Sequence, residues 1–211
     1  MSDSSLKRLC EILASRCPET VDLLTAVTEE EFDDAFAPWL GQAIHDLETN
    51  SKNFASLGEN GLVAALAMGL RMPGLTVKQE ANSNGHVDLT VSLDHSFPLL
   101  FSLGEAKIYD GPELHKKGLA QLMERYMTGR EAQCLMLSFV HKKDIATIVK
   151  KLRDDLDMCQ PSAQQGMSAD LRTKWAFKTA HQHASGELRF VAHYNCNLFN
   201  PVDGASSASE V

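Results

Sequence analysis

Long apolar runs are missing from this 211-residue sequence. No stretch approaches the roughly 20 residues that a membrane-spanning helix needs. The opening MSDSSLKRLCEILASRC has no apolar h-region, so no signal peptide is expected. Cysteine is sparse: Cys10, Cys17, Cys134, Cys159 and Cys196 are odd in number and fit no zinc-ribbon or redox spacing. That pattern points to reduced thiols and a cytoplasmic location. Positive charge is in deficit, with a net charge of −8 and a pI near 5.4. This excludes a domain held on nucleic acid by a globally basic surface, but not an enzyme that engages it locally. There is no internal repeat. A composition of 44% hydrophobic and 23% charged residues is that of an ordinary globular protein.

Residues 1–50 read as a helical extension. LKRLCEIL places Leu6, Leu9, Cys10 and Leu13 at three- and four-residue spacing. Thr28 and Glu31 form a capping-box signal before FDDAFAPWLGQAIHDL, in which Pro38 is expected to break or kink the helix. Residues 51–200 read as one domain. A helix runs from Ser56 with Glu59, Leu62, Val63, Leu66 and Leu70 on one face. LTVKQEA at 75–81 is a strand, and 85–112 supply a hairpin and the loop after it. A helix over about 113–128 carries the stripe Leu119, Leu122, Met123 and Tyr126. AQCLMLSFV reads as a strand buried on both faces, followed by the amphipathic KDIATIVKKLRDDL. KWAFKTAHQ and ELRFVAHYNCNLF form a C-terminal hairpin, and 201–211 a disordered tail.

Chemistry concentrates in GHVDLTVSLDHSFPLLFSLGEAKIYDGP. Alternation puts Glu105 and Lys107 on one face of their strand and Asp88 on one face of the preceding strand. A turn centred between Ser96 and Phe97 would set Asp88 opposite Glu105, and a two-residue slip would keep both on one face. Opposed like charges destabilise a sheet, so something must offset them. A divalent cation would do so, since Mg²⁺ takes one or two carboxylates with water and phosphate. Lys107 beside it could hold a water or neutralise a phosphoryl oxygen. Glu59, on the apolar arc of its helix, has two readings: a third ligand, or a capping box with Ser56. Edge-strand ion pairs on a solvated sheet face are the plain alternative for Asp88, Glu105 and Lys107.

The helix acid Glu59, then Asp88, then Glu105-x-Lys107, then a helix and a buried strand, together resemble the PD-(D/E)XK nuclease superfamily. LGEAKIYDGPELHKKGLAQLMERYMTGREAQCLMLSFVHKKD is similar to bacterial nuclease-like proteins of anti-phage defence, and LRFVAHY resembles a late strand of theirs. The resemblance covers about residues 53–198, and Val87 stands where the motif often has proline. It implies an α/β fold with a restriction-endonuclease-like core, α-β-β-β-α-β, a mixed sheet flanked by helices. It further implies Mg²⁺ (or Mn²⁺) held by Asp88, Glu105, Glu59 and the Ala106 carbonyl, with Lys107 and Gln121 as catalytic residues. The implied activity is hydrolysis of a nucleic-acid phosphodiester, DNA in the first place. A catalytically silent module in a larger complex, docking a protein partner or a second copy through residues 1–50, is the alternative.

Lesser signals carry less. His181, His183, His193 and Cys196 are too loosely spaced to favour zinc. HKKG at 115–118 with Arg125, Arg130, Lys142 and Lys143 is either a phosphate-binding patch or a solvated face. Asp110-Gly111-Pro112 reads as a turn, and Trp39 and Trp175 as packing residues ahead of base-stacking platforms.

Overall fold

The computed structural model describes residues 3–82 and 86–201, so the expected tail falls almost wholly outside the described residues. Helices α1 (Asp3–Arg16), α2 (Pro18–Thr25), α3 (Glu29–Thr49), α4 (Ser51–Phe54) and α5 (Glu59–Gly69) come first. Strands β1 (Leu75–Asn82), β2 (His86–Leu93) and β3 (Phe101–Ile108) follow. Then come α6 (Pro112–Ala120), running on into a π-helical turn over Gln121–Tyr126, β4 (Gln133–Val140) and α7 (Ile145–Cys159). Strands β5 (Ala169–Asp170), β6 (Ala176–Gln182) and β7 (Leu188–Asn197) end the chain.

All seven strands form one mixed sheet, ordered β1-β2-β3-β4-β7-β6-β5. The β3–β4 and β4–β7 pairs are parallel and the others antiparallel. The C-terminal hairpin is therefore part of the main sheet, entered through β7 beside β4. Central β4 is apolar on both sides because both faces are covered. Leu135, Leu137 and Phe139 meet a core shared with α3 and α5, while Cys134, Met136 and Val140 meet one shared with α6 and α7.

The segment 1–50 supplies part of the first layer. Phe32, Phe36, Leu40, Ile44 and Leu47 of α3 are buried in the same core as Leu89, Leu135 and Tyr194. The Thr28 capping box forms in full: the Thr28 hydroxyl accepts from Glu31 N, and the Glu31 carboxylate accepts from Thr28 N. The expected break at Pro38 does not occur, and α3 continues through it. An interior proline costs about 3 kcal/mol. Burying Phe36 and Leu40 on either side is worth about 1.5–3 kcal/mol each, and Asp34, whose carbonyl loses its helical donor to the proline, is an exposed residue. By contrast α1 buries no residue, and Leu6, Leu9 and Ile12 are exposed. No helix among the described residues is long and apolar enough to cross a membrane.

Candidate active site

The β2–β3 register runs Leu89↔Gly104, Thr90↔Leu103, Val91↔Ser102 and Ser92↔Phe101. Extended by one pair, it sets Asp88 opposite Glu105, as a turn centred between Ser96 and Phe97 requires. There the regular ladder stops. Asp88 Oδ2 accepts the Ala106 amide proton at 2.8 Å, so a side chain satisfies the backbone donor. One strand over, Glu105 pairs in register with Met136 of β4, and Met136 with His193 of β7.

Glu105 is only 2% exposed. Its Oε1 lies 2.7 Å from Lys107 Nζ, while its Oε2 is buried with no hydrogen-bond partner. Lys107 Nζ also donates to the Ala106 carbonyl at 2.8 Å and to Glu59 Oε1 at 3.3 Å. Glu59 Oε2 accepts from Ile108 N at 3.2 Å. Helix α5 consequently begins at Glu59, with Gly58 as its N-cap and no side-chain cap bond, so the Ser56–Glu59 capping box does not form. The carboxylate reaches β3 instead, where a lysine and a free amide offer stronger partners.

Burial pushes the Glu105 carboxyl up to about 7; Lys107 opposes that rise, and the Asp88 and Glu59 charges reinforce it. Asp88 is also raised, first by burial and then by Glu59, against the pull of the Ala106 amide, of Lys107 and of the adjacent Glu105 carboxyl, which can share a proton with it only when one of the two is protonated. Burial draws Lys107 down, but its bond to Glu105 and the surrounding carboxylates outweigh it and leave it above the usual lysine value. A carboxyl near neutrality beside a strongly held ammonium marks a functional-site candidate.

The pair sits between two clefts. Asp88 opens on one of about 310 Å³, lined by Asn60, Val63, Gln79 and Glu80. Lys107 opens on one of about 610 Å³ with Lys117, Gln121, Glu124 and Arg125. Gln121 thus faces the lysine's cleft from the start of the π turn, a feature common at functional sites. The basic run divides: His115 is buried, Lys116 pairs with Glu113 and Asp155, and Lys142 pairs with Asp110. Lys117 and Arg125 remain beside Lys107.

Sequence reasoning missed Glu80. It stands on β1 between the pairs Gln79↔Leu89 and Ala81↔Val87, alongside Asp88 of β2, with a φ of 47° and its Oε1 bonded to Asn60 Nδ2 at 2.8 Å. Carrying the hairpin register one strand further would have found it. Tyr126, which helical spacing marks only as part of an apolar stripe, is buried, and its hydroxyl is raised first by that burial and then by the Glu105 charge.

Among the described residues no group of three or more His, Cys, Asp or Glu is placed to hold a metal ion. Glu59 and the Ala106 carbonyl are engaged by Lys107, whereas Asp88 and Glu105, with its unpartnered Oε2, retain capacity. Two carboxylates suit Mg²⁺, which fills its other positions with water and phosphate. The zinc alternative has no support: His181 and His193 are joined through Thr179, and the Cys196 thiol points to Ile44 O in the opposite core.

Against known proteins, no family model matches the chain, nor does any curated protein or solved structure.

Proposed function

We propose that this chain is a Mg²⁺- or Mn²⁺-dependent nuclease of the PD-(D/E)XK kind, hydrolysing phosphodiester bonds in DNA, in prokaryotic defence or DNA processing. The observation that carries the reading is the buried, unpartnered Glu105 Oε2 beside Asp88, with Lys107 bonded to the other oxygen of Glu105. The order α5-β1-β2-β3-α6-β4, with β3 parallel to β4, supports the restriction-endonuclease-like core that the resemblance implies. Asp88 and Glu105 would hold the metal ion, which supplies Lewis-acid stabilisation of charge on the phosphoryl oxygens. Lys107 orients the attacking water and keeps its proton, since its pKa is raised rather than lowered. Gln121 and Lys117 border the cleft through which a strand would approach Lys107.

One observation favours a catalytically silent binding module instead. Lys107 gives its three donors to Glu105, Ala106 and Glu59, so its ammonium has none left over for a water in this arrangement. Incubating the protein with plasmid, linear and single-stranded DNA and with RNA, in Mg²⁺, Mn²⁺ or EDTA, decides between them. Cleavage that needs the metal and disappears in Lys107→Ala and Asp88→Ala supports the nuclease. Equal trace activity in all three proteins sinks it.

A further inference from the structure

The most unusual polar feature lies outside the carboxylate site. Ser138, His115, His193, Thr179 and His181 are each no more than 1% exposed. They form one hydrogen-bonded chain beneath α6. Ser138 Oγ is 2.9 Å from His115 Nδ1, and His115 Nε2 is 2.8 Å from His193 Nδ1. Thr179 Oγ1 lies 2.7 Å from both His193 Nε2 and His181 Nε2, and His181 Nδ1 is 3.1 Å from the Ser162 carbonyl.

The proton positions follow from the last link. A carbonyl only accepts, and burial lowers the His181 pKa and favours its neutral ring, so His181 carries its one proton on Nδ1 and accepts at Nε2 from the Thr179 hydroxyl. Thr179 then accepts from His193 Nε2, His193 Nδ1 accepts from His115 Nε2, and His115 Nδ1 accepts from Ser138. All three rings are neutral and every bond points the same way. Burial holds His115 and His193 far below the usual histidine value, consistent with that arrangement.

This chain meets the candidate site through α6. Ser138 is the register partner of Lys107 on the adjacent strand. His115 and Gly118 are three residues apart and share a helix face. A Cβ at Gly118 would lie 3.3 Å from Lys107 Cγ and 2.5 Å from Met136 Cε, so the helix backbone rests against the lysine stem. Whatever sets the height of α6 over the sheet also confines that stem.

We propose that the Ser138–His115–His193–Thr179–His181 chain is a positioning device for Lys107, anchoring α6 so that Gly118 confines the lysine stem and aims its ammonium at Glu105. The significance for catalysis rests on the nuclease reading; the anchoring itself does not. In the full-length protein, ¹⁵N-histidine NMR at neutral pH is expected to show Nε2–H tautomers for His115 and His193 and Nδ1–H for His181. Acylation by an amine reagent, read by mass spectrometry, is expected to be slow at Lys107. Thr179→Val removes the hydroxyl linking His193 to His181. It should raise Lys107 labelling roughly tenfold, because a stem no longer confined by Gly118 opens its ammonium to the reagent. Labelling of exposed Lys150 should not change, and Thr179→Ser should restore the wild-type rate. Ser138→Ala, which deletes only the first donor, should move Lys107 in the same direction and serves if Thr179→Val does not fold. Different tautomers, or wild-type labelling in both variants, overturns the proposal. Neither measurement uses nucleic acid or metal, so failure of the nuclease reading would appear only as absent cleavage.

Discussion

Asp88 accepts the Ala106 amide proton at 2.8 Å across the open end of the β2–β3 pair. One carboxylate thus closes a hole in the backbone hydrogen bonding and stands opposite Glu105. Removing it should affect stability as well as chemistry. Leaving a buried amide unsatisfied costs about 1–3 kcal/mol, so Asp88→Ala should lower the urea midpoint accordingly. Asp88→Asn, which keeps an acceptor oxygen, should lower it less. Equal losses in the two variants would mean that the bond to Ala106 contributes nothing.

The raised Glu105 carboxyl makes a signed prediction about pH. Its folded pKa, about 7, lies above the ordinary glutamate value of 4.5, so the folded protein binds the extra proton between those limits. Its contribution to stability is present at low pH and is lost as pH rises through that window, by up to about 1.4 kcal/mol per unit. Glu105→Gln should therefore gain on wild type from pH 4.5 to 7 in paired denaturation curves. A constant difference would refute the shift.

His115 works in the opposite direction. Burial lowers it to about 3, so the unfolded chain binds the proton first and stability falls as pH drops below 6.5. Relative to His115→Gln, wild type should lose ground between pH 6.5 and 4, measured as a difference so that other groups cancel.

Gly118→Ala sets two effects against each other. Alanine improves helix propensity by about 1 kcal/mol. Its Cβ, however, meets the fully buried Met136 and the Lys107 stem, and overpacking of that kind costs about 1–3 kcal/mol. A net loss of thermal stability together with faster Lys107 acylation is expected; a stabilised protein with unchanged labelling would count against the close approach.

Mg²⁺ should stabilise the protein without any substrate. A ligand that binds only the folded state at about ten times its dissociation constant contributes about 1.4 kcal/mol. The midpoint of thermal unfolding should rise with Mg²⁺ in wild type and stay put in Glu105→Gln, while EDTA reverses the rise.

Much of this was legible from period and punctuation. The two-residue alternation of HVDLTV and LLFSLGEAKI is enough to place Asp88 and Glu105 on one face, and the register, which ends at Leu89↔Gly104, sets them opposite when extended by one pair. The apolar run of β4 announced a strand covered on both sides, and the Thr28–Glu31 spacing announced the start of α3. Local signals failed where a distant partner decided the outcome. Pro38 lost to the burial of Phe36 and Leu40, and the Ser56–Glu59 box lost to Lys107 and Ile108.

By itself the sequence determined the α/β class, the order of elements and the candidate acids, because helix and strand periodicity depend on neighbours a few residues apart. Only the tertiary structure decided that β7 lies beside β4, that Lys107 takes both Glu59 and the Ala106 carbonyl, and that His115, Thr179, His181 and His193 line up in one buried chain. Those contacts join residues up to 78 positions apart. Their geometry is set by how the sheet and α6 pack, and no local pattern in the sequence encodes that.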